Sequence, residues 1–229
     1  MPYSLYVHLP YCLVKCPYCD FNAYAARTWP EEQYVEALGT ELHHYTSQPP
    51  WSGQPIATIY FGGGTPSLVT PQPFARFLTL VSELAPIADN AEVTLEADPA
   101  TVTLEKFSGY RALGINRLSV GVQSFHPQLL KTLGRIHTPE DAHDTLTWAR
   151  AAGFTNLSMD VIFAVPGQTT DMLAEDLTLA YGHALEHLST YSLTYEEHTP
   201  FFAMRKKGTL QPVEEEEEVA MYSLIQERC

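Results

Sequence analysis

Strand-like and helix-like segments alternate along this chain, and that alternation restricts its fold more than any other feature. Six short runs rich in Val, Ile, Leu and Tyr read as strands: Leu5–Leu9, Ile56–Phe61, Glu92–Glu96, Arg117–Val122, Leu157–Phe163 and Leu188–Thr194. Segments of helical periodicity lie between them. Glu31–Tyr45 opens after Pro30, and Pro71–Leu84 follows Thr70 as a candidate N-cap. Leu104–Leu113 stops at Gly114. Pro139–Ala152 starts after Thr138 and stops at Gly153, and Asp171–Leu185 precedes the sixth strand. The pattern predicts an α/β fold, with parallel strands and outer helices. Right-handed crossovers curl such a sheet towards a barrel. The 229 residues hold one domain with a full core but are too few for a closed eight-unit barrel. The expectation is a partial (β/α)6 barrel. A flat doubly wound sheet has the same periodicity and stays open as the alternative. Either fold places ligands at the C-terminal ends of the strands.

The first such end carries Cys12-Leu-Val-Lys-Cys16-Pro-Tyr-Cys19, three of the four cysteines within eight residues. Thiolates are soft ligands, and closely spaced ones in a loop can wrap one metal centre. A structural zinc site closes with four ligands, and His8 is near enough in sequence to be the fourth. A cubane iron–sulfur cluster normally takes four thiolates as well, so three would leave one iron open. A disulfide framework suits a small, cysteine-dense secreted chain, which this is not. Cys229, far away in sequence, reads as an unremarkable thiol.

Polar residues recur at the later strand ends. Gly62-Gly63-Gly64-Thr65-Pro66 follows the second strand, and glycines there let backbone approach a ligand closely. Glu96 ends the third strand in Leu95-Glu96-Ala97-Asp98-Pro99. A carboxylate on an apolar strand needs a partner, and a local Lys or Arg would serve as well as a ligand. Ser119-Val120-Gly121-Val122-Gln123-Ser124-Phe125 ends the fourth strand, with Arg135 following. Asp160 lies on the fifth, before Pro166-Gly167-Gln168-Thr169, and Thr194 ends the sixth.

Taken together, from Tyr6 to about Thr194, the Cys-x3-Cys-x2-Cys spacing and these strand-end motifs resemble the radical S-adenosylmethionine (SAM) superfamily. The resemblance implies a partial (β/α)6 radical SAM barrel in which Cys12, Cys16 and Cys19 hold a 4Fe-4S cluster with one open iron. That iron chelates S-adenosyl-L-methionine, and one electron cleaves it to a 5′-deoxyadenosyl radical. By the same resemblance Tyr6, Tyr18, Gly63, Gly64, Thr65 and Glu96 contact SAM. Gln123, Arg135, Asp160 and Thr194 match positions lining a second SAM or substrate pocket in the oxygen-independent coproporphyrinogen III oxidase group.

Two groups share this pattern. The oxidase, which decarboxylates two propionates in porphyrin biosynthesis, has a further cysteine two residues after the third. Here that position is Phe21. The oxidase also has a longer extension ahead of its first strand. Cys-Pro-Tyr-Cys-Asp-Phe-Asn looks like the HemW-type heme chaperone group. Membership there implies heme as cargo, respiratory heme-protein acceptors, and an electron donor such as flavodoxin or ferredoxin, and it leaves open whether SAM is cleaved. None of the nine histidines stands out as a heme ligand. A reading of another class, a metal-binding interaction module holding zinc or an inert cluster without SAM, leaves the glycine run and the strand-end polars unused.

A net charge of -14 argues against a broad phosphate-binding surface for nucleic acid and against adsorption to anionic membranes. No apolar run is long enough to span a bilayer, no secretory signal opens the chain, and thiols kept for metal suit a reducing cytoplasm. Residues 1–200 are expected to form the core domain. Gly208, Pro212 and the run Glu214–Glu218 read as a linker with a solvated face, followed by a helix over Val219–Arg228. On this reading 201–229 is the start of a further, truncated domain of a longer protein.

Overall fold

The computed structural model describes residues 1–229. In chain order the elements are β1 (Tyr3–Leu9), β2 (Tyr11–Cys12), β3 (Tyr24–Ala25), α1 (Glu31–Thr46), β4 (Ile56–Gly63), α2 (Pro71–Leu84), β5 (Ile87–Ala97), α3 (Leu104–Ala112), β6 (Arg117–Gln123), α4 (Pro127–Thr132), α5 (Pro139–Ala151), β7 (Leu157–Phe163), α6 (Thr170–Gly182), β8 (His187–Ser192), α7 (Pro200–Lys206) and α8 (Glu215–Arg228). Short 3-10 turns lie at Pro66–Leu68 and Pro99–Thr101.

Six strands form one parallel sheet in the order β1-β4-β5-β6-β7-β8, and β2 pairs with β3 in a separate two-residue ladder. The order never reverses. A doubly wound sheet needs a reversal to send helices to both faces, so that alternative is set aside. Right-handed crossovers that all run one way put the helices on a single face and leave the other face to the site. The main core fills the helix side. Leu95, Leu118, Val120, Met159 and Val161 from the strands meet Phe74, Phe77, Phe107, Leu146, Leu173 and Leu177 from the helices. Burying each of these side chains is worth about 1.5–3 kcal/mol.

Local signals set the helix ends. Thr138 and Asp141 form a capping box at α5, each satisfying an amide left over at the helix start. Thr103 and Thr169 cap α3 and α6 through single side-chain bonds. Thr70 occupies the cap position of α2 but makes no such bond. Gly114 and Gly153 follow α3 and α5 at φ +90°, a backbone region that a Cβ penalises.

The C-terminal part departs from expectation in its local detail. α8 begins at Glu215, ahead of Val219, and four glutamates fill its first turn, where the helix dipole favours negative charge. Glu217 accepts hydrogen bonds from the Thr170 amide (2.8 Å) and hydroxyl (2.7 Å), and Glu218 accepts one from Ser192. Two residues of the acidic run therefore fasten α8 to α6 and β8 instead of only facing solvent. Met221 and Ile225 join the main core. Phe201 lies in a second cluster with Leu129, Leu133, Ile162 and Leu193. No helix is long and apolar enough to cross a membrane.

Candidate cofactor site

The sheet face away from the helices holds a cavity of about 940 Å³. Cys12, Cys16, Cys19, Tyr18, Gly63, Gly64, Thr65, Glu96, Gln123, Arg135, Asp160 and Thr194 all line it. Tyr6 does not. It is 56% exposed, with its ring beside Tyr60 and its hydroxyl on His8.

Neighbours hold the cysteine loop at both ends. Gly64 donates its amide to Leu9, Thr65 donates to Tyr11, and Ala26 donates to the Cys12 carbonyl, each at 2.8 Å. The loop turns where the Cys19 amide meets the Cys16 carbonyl at 3.1 Å. Phe201 then donates to Pro17 at 3.0 Å, and its ring lies 6.3 Å from that of Tyr18. All three cysteines are free thiols. Burial pushes the Cys12 and Cys19 thiols up, with Thr65 opposing this at Cys12 and the Phe21 amide at Cys19. His8 is not poised as a fourth ligand, since its two ring nitrogens meet Tyr6 and the Asn22 carbonyl. No three His, Cys, Asp or Glu side chains gather closely enough to hold one metal ion. Three free thiols lining one cavity are the donor type that an iron–sulfur cluster takes.

The glycine run has a packing reason. A Cβ on Gly64 would sit 2.7 Å from the Tyr11 carbonyl oxygen. One on Gly63, at φ +117°, would sit 2.7 Å from the His8 ring. These glycines let β4 and the cysteine loop approach each other, where the sequence suggested room for a ligand.

The cavity floor is acidic. Glu96 accepts from the Tyr60 hydroxyl at 2.8 Å and the Gly63 amide at 3.1 Å, so its protein partners are neutral donors and not the Lys or Arg that was one of the two alternatives. Burial pushes its carboxyl up, against the pull of those two bonds. Burial likewise pushes Asp160 up, although Ser189, Ser119 and Arg117 favour its charge. The Asp160 charge adds to the upward push on Glu96. Such a floor attracts cationic groups and hydroxyl donors.

Arg135 stands opposite. It donates to Asp98 at 2.6 Å and to the Gly121 carbonyl at 2.8 Å, and it reaches the Cys16 sulfur at 3.8 Å. Burial works against its charge, but Asp98 outweighs this and holds the guanidinium above its ordinary value. Gln123 adopts φ +69° at a break in the β6–β7 register. Its Oε1 is buried without a partner, as is Arg135 Nε. A buried orphan acceptor costs about 1–3 kcal/mol, so a ligand donating to Gln123 would recover that cost.

Asp98 and Tyr60 escaped the sequence reading. Asp98 lies two residues past Glu96, but its partner is 37 residues away. Tyr60 is one residue of the second strand run, and only the bond from its hydroxyl to Glu96 marks it.

Comparison with known proteins agrees with this geometry. The family model described as the radical SAM superfamily matches residues 6–180. The heme chaperone HemW of Bacillus subtilis (strain 168) is 36% identical over 224 residues, 97% of this chain and 58% of that protein. HemW of Escherichia coli (strain K12) is 40% identical over 201 residues, 87% of this chain and 53% of that protein. Among solved structures, the radical SAM enzyme coproporphyrinogen III oxidase (HemN) from Escherichia coli superposes with a TM-score of 0.87 at 29% identity, covering 98% of this chain and 51% of its own. The chain thus spans a little over half the length of these relatives. Its open parallel sheet with flanking helices is a partial radical SAM barrel, and the chain belongs to the radical SAM superfamily and, within it, to the HemW/HemN-like family.

Proposed function

We propose that this chain is the cluster- and SAM-binding part of a heme chaperone of the radical SAM type. The observation that carries the reading is one cavity lined by three free thiols, two buried carboxyls and the orphan acceptor of Gln123. Cys12, Cys16 and Cys19 would hold a 4Fe-4S cluster, whose chemistry when bound is the supply of one electron to SAM. The chain's own residues do the rest. Glu96 and Asp160 would accept hydrogen bonds from donor groups of SAM, and Gln123 Oε1 would accept a further one. Arg135 would supply fixed positive charge to an anionic group of the ligand. Gly63, Gly64, Thr65, Tyr18 and Thr194 complete the walls, and Tyr6 acts from behind by holding His8.

The resemblance to HemW proteins supports heme as cargo, a respiratory heme protein as acceptor, a flavodoxin- or ferredoxin-like electron donor, and a cytoplasmic setting. Residues 1–200 would be the core domain, with 201–229 leading into a further one. Phe21, 61% exposed at the cavity wall, stands where the oxidase group has its extra cysteine, and this favours the chaperone over the oxygen-independent coproporphyrinogen III oxidase. Heme titration of anaerobically reconstituted protein, followed by transfer to an apo-acceptor, tests the choice. Stoichiometric heme binding with no product from coproporphyrinogen III, SAM and reductant supports the chaperone. Decarboxylation overturns it in favour of the oxidase.

A further inference from the structure

Of the three thiols, Cys16 is the one hydrogen-bonded by a buried cation. Arg135 Nη1 lies 3.8 Å from its sulfur. The guanidinium has little freedom: Nη2 is fixed by Asp98 at 2.6 Å and by the Gly121 carbonyl at 2.8 Å, and the side chain is only 11% exposed. Asp98 is itself held. Its amide donates to the Ser67 hydroxyl oxygen at 3.0 Å, its Oδ1 accepts from the Ala100 amide at 3.0 Å, and its carbonyl accepts from the Thr101 hydroxyl. Gly134, next to Arg135, has φ +68°, and a Cβ there would lie 2.6 Å from Pro17. The segment carrying Arg135 thus closes directly on the segment carrying Cys16. The ends of β5 and β6 and the α4–α5 connection converge on one sulfur.

We propose that Asp98 is a positioning residue. It locks the Arg135 guanidinium so that one N–H points at Cys16, and so raises the reduction potential of a cluster held by this loop. The inference rests on the cluster reading above. Hydrogen bonds to cluster sulfurs and local net charge set such potentials. Two physical roles for Asp98 make opposite predictions. If it matters only as a nearby negative charge, removing it makes the cluster easier to reduce. If it holds Arg135 in place, removing it releases the N–H from the sulfur and makes the cluster harder to reduce.

The experiment is a potentiometric titration of the reconstituted cluster, followed by electron paramagnetic resonance without SAM, in the wild type, Asp98→Ala, Arg135→Met and the double variant. The expected result is a lower midpoint potential in both single variants, with the double variant no lower than Arg135→Met alone. A higher potential in Asp98→Ala, or additive shifts in the double variant, overturns the proposal. Asp98→Asn keeps an oxygen acceptor for Arg135 and is expected not to fall below wild type. If Asp98→Ala does not load iron, the proposal is decided by Arg135→Met falling while Asp98→Asn does not; any other pattern overturns it. Iron and sulfide content of the wild type is measured first. A wild type without iron would overturn the cluster reading itself and the proposal with it, a result distinct from any shift of potential.

Discussion

On the middle strands of the sheet, neighbouring residues serve two regions built in opposite ways. Leu95, Leu118 and Met159 enter the apolar core beneath the helices. Glu96, Ser119 and Asp160, each one position further on, line the cavity. The core side holds closely packed side chains whose value is area removed from water. The cavity side holds buried polar groups whose value lies in where their lone pairs point, and some, such as Gln123 Oε1, have no protein partner. A two-residue period carries both. The contrast teaches that stability and ligand recognition are separable here to within one residue, so substitutions on adjacent positions should fail in different assays.

The largest expected effect is at the thiols. Cys16→Ala should abolish cluster loading, reducing iron per chain and visible absorbance to background after anaerobic reconstitution, with the apo fold intact by circular dichroism. Retention of a full iron load would break the division, because the loop would then not be the ligand set. Next is the core: Leu118→Ala should cost about 2–5 kcal/mol in urea unfolding and leave the SAM affinity of the folded fraction unchanged.

Glu96→Gln should do the reverse, weakening SAM binding about tenfold or more, the worth of a charge-assisted hydrogen bond, as read by calorimetry. Its stability effect has a definite sign. Burial holds the folded Glu96 carboxyl above its ordinary value, so its contribution is fully present below the unfolded pKa and is lost as pH rises through the folded one. The glutamine variant should therefore melt at or above the wild-type temperature at pH 7, and that margin should shrink on acidification. A lower melting temperature at pH 7 would show that Glu96 belongs to the supporting structure. The smallest effect is expected at Thr138→Ala, at the exposed start of α5. Loss of the capping box should cost about 1 kcal/mol with no change in iron content or SAM affinity.

The strands and helices were legible where the chain carries long periodic runs with clear stops. Pro71–Leu84 and Leu157–Phe163 have the same bounds in sequence and structure. α4 spans six residues, too few for a period to show. β5 begins at Ile87, earlier than Glu92, because Asp89 and Asn90 interrupt the apolar pattern. At the site, the cysteine spacing and the strand-end polars marked the cavity walls. The pairing of Asp98 with Arg135 could not be read, since nothing local links the end of β5 to a loop beyond β6. The glycine run lines the cavity, and it also has a packing reason that the sequence does not show. Its neighbours turned out to be His8 and the Tyr11 backbone, residues that only the parallel pairing of β1 with β4 brings alongside.

The long reach of the contact between Arg135 and Cys16 also bears on the order of biogenesis. The two residues are 119 positions apart. At about 5–20 residues per second of synthesis, the loop waits about 6–24 s for its clamp to be made. Phe201, whose amide closes on Pro17, is made later still. On a growing chain the loop's contacts to Ala26, Gly64 and Thr65 can form well before those to Arg135 and Phe201. If the three thiols hold a cluster as proposed, its protein surroundings are complete only once residue 201 has been made.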